Sequence, residues 1–501
     1  MQAQKELESR TIPFWKRIFP YISYLLEGKQ ADHKQNTIAA LDGVRAIACL
    51  IVVAFHLSLI TTRDVPLWTA SQFNPLFSAV AFAGDTGVNL FFVLSGFLLF
   101  MPFASAILWR KPRPSWKRFY LRRIFRILPA YYVSLLLMIL LFRPNYLSIH
   151  HWQGLLSFLF LFIDSSADAY KQINGPFWTL AVEWQFYLAL PFIALGIAFL
   201  VERCSQRSSN PRIRLGWIIG SLLVLAAWGV FSRWLGIYLV ANPQLATTRL
   251  TSWLINLFLF FGFGAPVAGL HGKFMEDFAM GMLVSTLYIY TQSKSGKGES
   301  QYPITLASWL GRLSPVLFVF ALLWQLAMFA WKFAQSTPQA FPFFTQSVFT
   351  PANYATYAEL GYGIGYGLLI LAILFGRSWL KRPFEWTPLR WLGLLSYGLY
   401  MWHLNLVRLP TSFVARHPEW PALLRYSVYW GWFAIFIIPL VFLLFVAVER
   451  PFIQFGARLT KATKKQAAPH QEEPPATMSS TVTVEDTHSP GLSEPGPAHI
   501  H

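Results

Sequence analysis

His56, His403 and Glu183 are ionisable residues set inside long apolar runs. Of the eleven histidines, only His56 and His403 fall within such runs, and Glu183 is the clearest deep acid. A charged group near the centre of a bilayer costs on the order of 3 kcal/mol or more, so each calls for a chemical reason. Arg45 precedes His56 by eleven positions. At 100° per residue that is about three helical turns plus 20°, which projects both side chains from one face. Asp42 falls within about 40° of the same stripe, and the helical rise sets His56 about 17 Å deeper than Arg45. Ser396, Tyr400 and His403 share a face through their i, i+4, i+7 spacing, with His403 about 19 Å from Arg390. Glu183 comes about 9 Å along a helix read as running the opposite way, roughly 20 Å from the far side of a 30 Å core. The expectation is that His56, Glu183 and His403 meet at one depth. A histidine and a carboxylate held there are suited to proton transfer, for example from a weakly acidic hydroxyl. A structural polar network with a snorkelling arginine is the plainer alternative.

The elements that position these residues are apolar helices. The chain is 55% hydrophobic and only 13% charged, against about a quarter charged in soluble domains. Apolar runs of membrane-crossing length, about 20 residues, recur from Val44 to Val448. They predict an all-α, polytopic transmembrane bundle of about ten spans: 44–62, 86–107, 127–143, 177–200, 215–233, 274–291, 313–334, 356–376, 391–409 and 427–448. Arg110 to Arg126 carries eight cations and no acid, which marks a cytoplasmic loop. The segments Arg203–Arg214 and Arg377–Arg390, and the stretch after Glu449, are basic in the same way. Both termini then face the cytoplasm, which requires an even number of crossings. Residues 251–268 would make an odd number, and 152–163 are too short. Both are therefore expected to be re-entrant or packed against the outer half of the bundle.

The net charge of +18 is thus orientation charge. No basic stripe on a soluble domain suggests a nucleic-acid partner. Residues 1–38 read as a cytoplasmic or interfacial arm, 39–455 as the membrane domain and 456–501 as a disordered cytoplasmic tail rich in Pro, Glu, Ser and Thr. The arm has no signal-peptide core; its segment 12–26 either lies on the membrane surface or is loosely packed. The two cysteines, Cys49 and Cys204, offer neither a disulfide framework nor zinc spacing, and no metal site is expected.

At these positions the chain resembles the acyltransferase-3 family of integral membrane acyltransferases, over roughly residues 38–455. Arg45 and His56 meet that family's Arg-x10-His element within Leu41-Asp42-Gly43-Val44-Arg45-Ala46. Gly87-Val88-Asn89-Leu90-Phe91-Phe92-Val93-Leu94-Ser95-Gly96-Phe97 is close to its second-span motif, and Arg123-Ile124-Phe125-Arg126 is similar to its Arg-x-x-Arg element. Trp178-Thr179-Leu180-Ala181-Val182-Glu183, then Leu395-Ser396-Tyr397-Gly398-Leu399-Tyr400 with His403, and Glu449-Arg450-Pro451 complete the match. An isolated Arg-x10-His pair is weak; that pair followed by five further motifs in order is strong.

The resemblance implies transfer of an acyl group, usually acetyl, from a cytoplasmic acyl-CoA cosubstrate to a hydroxyl on a carbohydrate or cell-surface glycan. No tightly bound cofactor is expected. His56 would be the general base or a transient acyl carrier, Glu183 would orient it, and Arg45 would meet the donor. Arg123 and Arg126 would clamp donor phosphates; their plainer role is lipid headgroup contact and topology. Asp42, Asn89, Ser95, Trp178, Ser396, Tyr400 and His403 would line the substrate pocket. The family's fused esterase-like domain, present in some members, is not expected in the tail. A competing class is a proton-coupled transporter of a small anion or glycan, disfavoured because no internal repeat or paired broken helices occur.

Overall fold

The computed structural model describes residues 38–67, 73–205, 210–264, 272–292 and 302–466. The main helices are α1 (Ala39–Leu59), α2 (Gly87–Leu108), α3 (Trp116–Phe142), α4 (Phe177–Cys204), α5 (Pro211–Ala241), α6 (Met275–Thr291), α7 (Tyr302–Ala334), α8 (Pro351–Phe375), α9 (Thr387–Val407), α10 (422–449) and α11 (Arg450–Gln466). Each of the ten expected crossings coincides with one of α1–α10, and no strand occurs among the described residues. Local sequence starts several of them. The Asn210 side chain accepts from Arg212 N at 2.9 Å, with Pro211 in the first turn of α5, and Thr350 and Pro351 open α8 in the same manner. These side-chain oxygens satisfy helix donors that have no intrahelical partner.

Among the described residues, eight helical segments are long and apolar enough to cross a membrane, those built on α1–α5, α7, α8 and α10. The other two expected crossings are enclosed elements. α6 is 17 residues long and is buried along most of its length. α9 carries Arg390, Ser396, Tyr400 and His403, which lower its hydropathy. The outer faces of the bundle expose Phe192 and Phe199 on α4, Val224 and Trp228 on α5, Val316 and Leu323 on α7, and Ile435 and Leu443 on α10. An apolar girdle of this extent suits hydrocarbon, not water. The chain is an integral multi-pass membrane protein.

Two buried apolar clusters share α1 and α2, so these helices form the axis of the bundle. Close backbone approach fixes their neighbours. A Cβ at Gly96 would run into the Phe278 backbone, and one at Gly281 into the Val93 backbone, so α2 and α6 meet main chain to main chain. A Cβ at Gly393 would strike the Asp42 carbonyl, which places α9 equally tightly against α1. Small residues at such crossings allow the dense packing that replaces hydrophobic drive within a membrane.

The basic segments gather at one end of the bundle. Arg113 pairs with Glu202 at 2.8 Å, Arg214 Nη1 donates to the Leu108 carbonyl at 3.2 Å, and Phe125 packs on Phe455. The Phe384 backbone lies against Gly43. Ion pairs Lys332–Asp85, Lys273–Asp164 and Arg408–Asp64 mark the other end. Residues 249–263 form a short helical segment there, with the Phe260 carbonyl accepting from Ser165 Oγ at 2.7 Å; residues 265–268 of the expected re-entrant stretch lie outside the described residues. One boundary moves. Residues 456–466, assigned to the disordered tail, continue α11, because Gly456 and Phe455 seat that helix on Phe125 of α3. The arm at 1–37 and the tail at 467–501 lie outside the described residues.

Candidate active site

Backbone carbonyls on α1 and α9 fix two imidazoles against each other. His403, fully buried, has Nδ1 2.8 Å from the Tyr400 carbonyl and 3.2 Å from that of Leu399. Carbonyls only accept, so this nitrogen carries the proton, and the neutral ring offers its Nε2 lone pair. That Nε2 lies 3.2 Å from His56 Nδ1, which is also 2.9 Å from the Val52 carbonyl. When the ring is neutral, His56 Nδ1 is thus the protonated nitrogen, donating toward both acceptors. His56 Nε2 is left with its lone pair, the form a base or nucleophile needs.

A second group of ionisable residues lies further toward the basic end. A cavity of about 100 Å³ is lined by Arg45, Arg123, Arg126, Ser95, Glu183, Tyr187, Ser396, Tyr397 and Tyr400, with apolar walls from α2, α3 and α4. It is large enough for several waters or the end of an extended chain. Glu183 accepts from Ser95 Oγ at 2.5 Å and from the Tyr187 hydroxyl. Arg45 pairs with Asp42 at 3.4 Å, and the Arg123 guanidinium lies over the Tyr187 ring. Arg123 Nε is buried with no hydrogen-bond partner among the described residues. Three guanidiniums around a single lining carboxylate make this cavity electropositive.

Tyr400 joins the two groups. Its ring lines the cavity and lies 5.7 Å from the His403 ring, and its carbonyl holds His403 Nδ1. Its hydroxyl is 3.0 Å from Thr179 Oγ1. Across the same contact Cys49 Sγ reaches the Ser396 carbonyl at 3.8 Å, tying α1 to α9.

The structure brings together most, but not all, of the residues singled out from sequence. Arg45, Arg123, Arg126, Ser95, Glu183, Ser396 and Tyr400 line one cavity, and His56 meets His403. Glu183 is hydrogen-bonded to Ser95 and Tyr187, not to either imidazole, and neither imidazole lines its cavity. Asn89 belongs elsewhere. Its amide donates to Asp277 at 3.1 Å and to Glu359 at 2.5 Å, because six positions from Ser95 turn it about 240° around α2. Trp178 stacks near Phe274 and Tyr170, about 140° around α4 from Glu183. Asp42 does not line the cavity but pairs with Arg45, which does.

Tyr187, which follows Glu183 in the matched motif, was given no role from sequence, although its spacing of four from Glu183 was the available signal. Sequence reasoning missed a buried ionic cluster in which Arg233 donates to Glu276 at 2.5 Å beside Asp277 and Glu359. Glu183 is thus one of several deep acids. Among the described residues no group of His, Cys, Asp and Glu is arranged to hold a metal.

The fold defines a multi-pass membrane protein with a polar interior. Residues 38–449 match the acyltransferase domain family, to which the chain belongs. It is 24% identical over 409 residues to the peptidoglycan O-acetyltransferase OatA of Listeria monocytogenes, covering 78% of this chain and 53% of that protein. It is 25% identical over 389 residues to the putative peptidoglycan O-acetyltransferase YrhL of Bacillus subtilis, covering 75% and 49%. A putative O-acetyltransferase of Staphylococcus aureus is 26% identical over 210 residues, 38% of this chain and 29% of that protein. The chain spans about half the length of the first two curated relatives. No solved structure matches it.

Proposed function

We propose that the protein is an O-acyltransferase that moves an acetyl group from an acyl-CoA donor to a hydroxyl of a cell-envelope carbohydrate. The relatives' names, peptidoglycan O-acetyltransferase, support acetyl as the group and a glycan as the acceptor. The donor's phosphate-bearing end engages Arg45, Arg123 and Arg126, whose forked donors suit phosphate oxygens, and its thioester arm extends along the narrow cavity toward Tyr400. His56 Nε2 takes the proton of the acceptor hydroxyl as the oxygen attacks the thioester carbonyl. The carbon–sulfur bond breaks, the proton passes to the departing sulfur, and ester and thiol leave. His403 keeps His56 in the required tautomer, and Glu183, hydrogen-bonded to Ser95 and Tyr187, balances the arginines.

The observation that carries this reading is the imidazole pair: His56 Nδ1 faces the Val52 carbonyl and His403 Nε2, an arrangement that supports a neutral ring with its lone pair on Nε2. The test uses purified protein, radiolabelled acetyl-CoA and muropeptide acceptors. Label should transfer with the native chain and fall by about 10²-fold or more in His56→Ala. Proton-coupled uptake into liposomes without any label transfer would sink the proposal.

A further inference from the structure

A second cavity, of about 430 Å³, opens at the basic end between the last turns of α2 and α4 and the first turn of α5. It shares no lining residue with the cavity of Arg45 and Glu183, and its volume lies within the roughly 300–1,000 Å³ of small-ligand pockets. Its charge is one-sided. Arg110, Lys111, Arg113 and Arg214 line it, against Glu202 alone, and Glu202 is engaged by Arg113 at 2.8 and 3.0 Å.

Arg214 is the informative residue. It is only 4% exposed, and its Nη1 donates to the Leu108 carbonyl. Its Nε is buried with no hydrogen-bond partner among the described residues. A buried guanidinium donor left unmatched is costly unless a ligand meets it. The surroundings indicate where that ligand comes from. Phe199 and Leu200 on α4, and Ile213 and Trp217 on α5, are exposed within three residues in sequence of the lining residues Ala198 and Arg214, so exposed apolar surface of these two helices adjoins the lining in sequence.

We propose that this cavity is a phosphate-binding site, separate from the proposed acyl-transfer cavity. Its ligand is a phosphate ester presented at the membrane surface. Arg214 and Arg110 supply forked donors to the phosphate oxygens, and Lys111 adds a point charge. The phosphate belongs either to the headgroup of an anionic phospholipid, whose chains would lie along the exposed apolar residues of α4 and α5, or to a soluble nucleotide-type molecule. The proposal does not depend on acyl transfer.

The test compares the native chain with Arg110→Gln/Lys111→Gln and with Arg214→Gln, purified in neutral detergent. The exposed pair keeps the experiment decisive if Arg214→Gln fails to fold. Binding of phosphatidylglycerol, phosphatidylcholine and adenosine 3′,5′-bisphosphate is measured by native mass spectrometry. Arg416→Gln, exposed at the opposite end, is the control for general charge loss. A lipid site predicts that phosphatidylglycerol binds in preference to phosphatidylcholine and about tenfold more weakly in the double variant, with Arg416→Gln unchanged. A soluble ligand predicts the same loss for the bisphosphate alone. Equal binding of both probes by the native chain and the double variant overturns the proposal, as does an equal loss in Arg416→Gln.

Discussion

At the scale of single residues, the chemistry rests on which nitrogen of each imidazole carries a proton. His403 has no contact with the cavity and acts through His56, so it is a positioning residue. Replacing it with Leu leaves His56 Nδ1–H with the Val52 carbonyl alone, and kcat for label transfer is expected to fall by up to about 10²-fold. His403→Gln keeps an oxygen able to accept and should recover part of that loss; equal activity in the two variants would argue against a tautomer-setting role. Arg123 presents a different test. Its buried Nε lacks a protein partner, so Arg123→Gln should raise the donor KM about tenfold, the scale of one charge-assisted hydrogen bond, with a smaller effect on kcat. Arg123→Lys should not restore the native value, because a point charge does not reproduce the planar fork. Steady-state kinetics over a range of acetyl-CoA concentrations separate the two effects.

At the scale of elements, the imidazole pair exists because α9 lies directly against α1. Gly393 packs on the Asp42 carbonyl, ten positions before His403 on the same helix. Gly393→Val must push α9 away, and both thermal stability and acyl transfer are expected to drop, the former by roughly 1–3 kcal/mol as for other overpacked sites. Gly196→Ala is the matched control. A Cβ there meets nothing within 4 Å, and alanine favours the helix, so stability should hold or rise by up to about 1 kcal/mol. Detergent-solubilised thermal unfolding followed by size-exclusion fluorescence reads both. If Gly393→Val unfolds at the native temperature, the close α1–α9 approach is not what holds the pair together.

At the scale of the whole molecule, the gathering of the basic segments at one end sets the orientation. Cys204 lies exposed at that end, while Cys49 is buried in the α1–α9 contact. A membrane-impermeant maleimide should therefore label the chain in inverted vesicles or permeabilised cells, and Cys204→Ser should abolish that labelling. Strong labelling of intact cells would place the basic end outside and reverse the assigned direction of donor access. The same experiment reports on the second cavity, whose rim includes Glu202 close to this cysteine in sequence.

The sequence by itself determined the helices and what lies along each one. Apolar run length located ten helices, eight of them long and apolar enough to cross a membrane, and the 100° period put Arg45 and His56 on one face of α1 and Ser396, Tyr400 and His403 on one face of α9. Rise along two helices that start at the same basic end also brought His56 and His403 to matching depth. Only the tertiary structure decided what the helices do to one another. Glu183 sits with the arginines, held by Ser95 and Tyr187, and Asn89 turns to the Asp277 and Glu359 carboxylates on the far side of α2. The physical reason is the range of the forces. Periodicity and rise are local backbone properties, whereas the rotation and vertical offset between helices are set by distant glycine contacts and by which buried charges find partners.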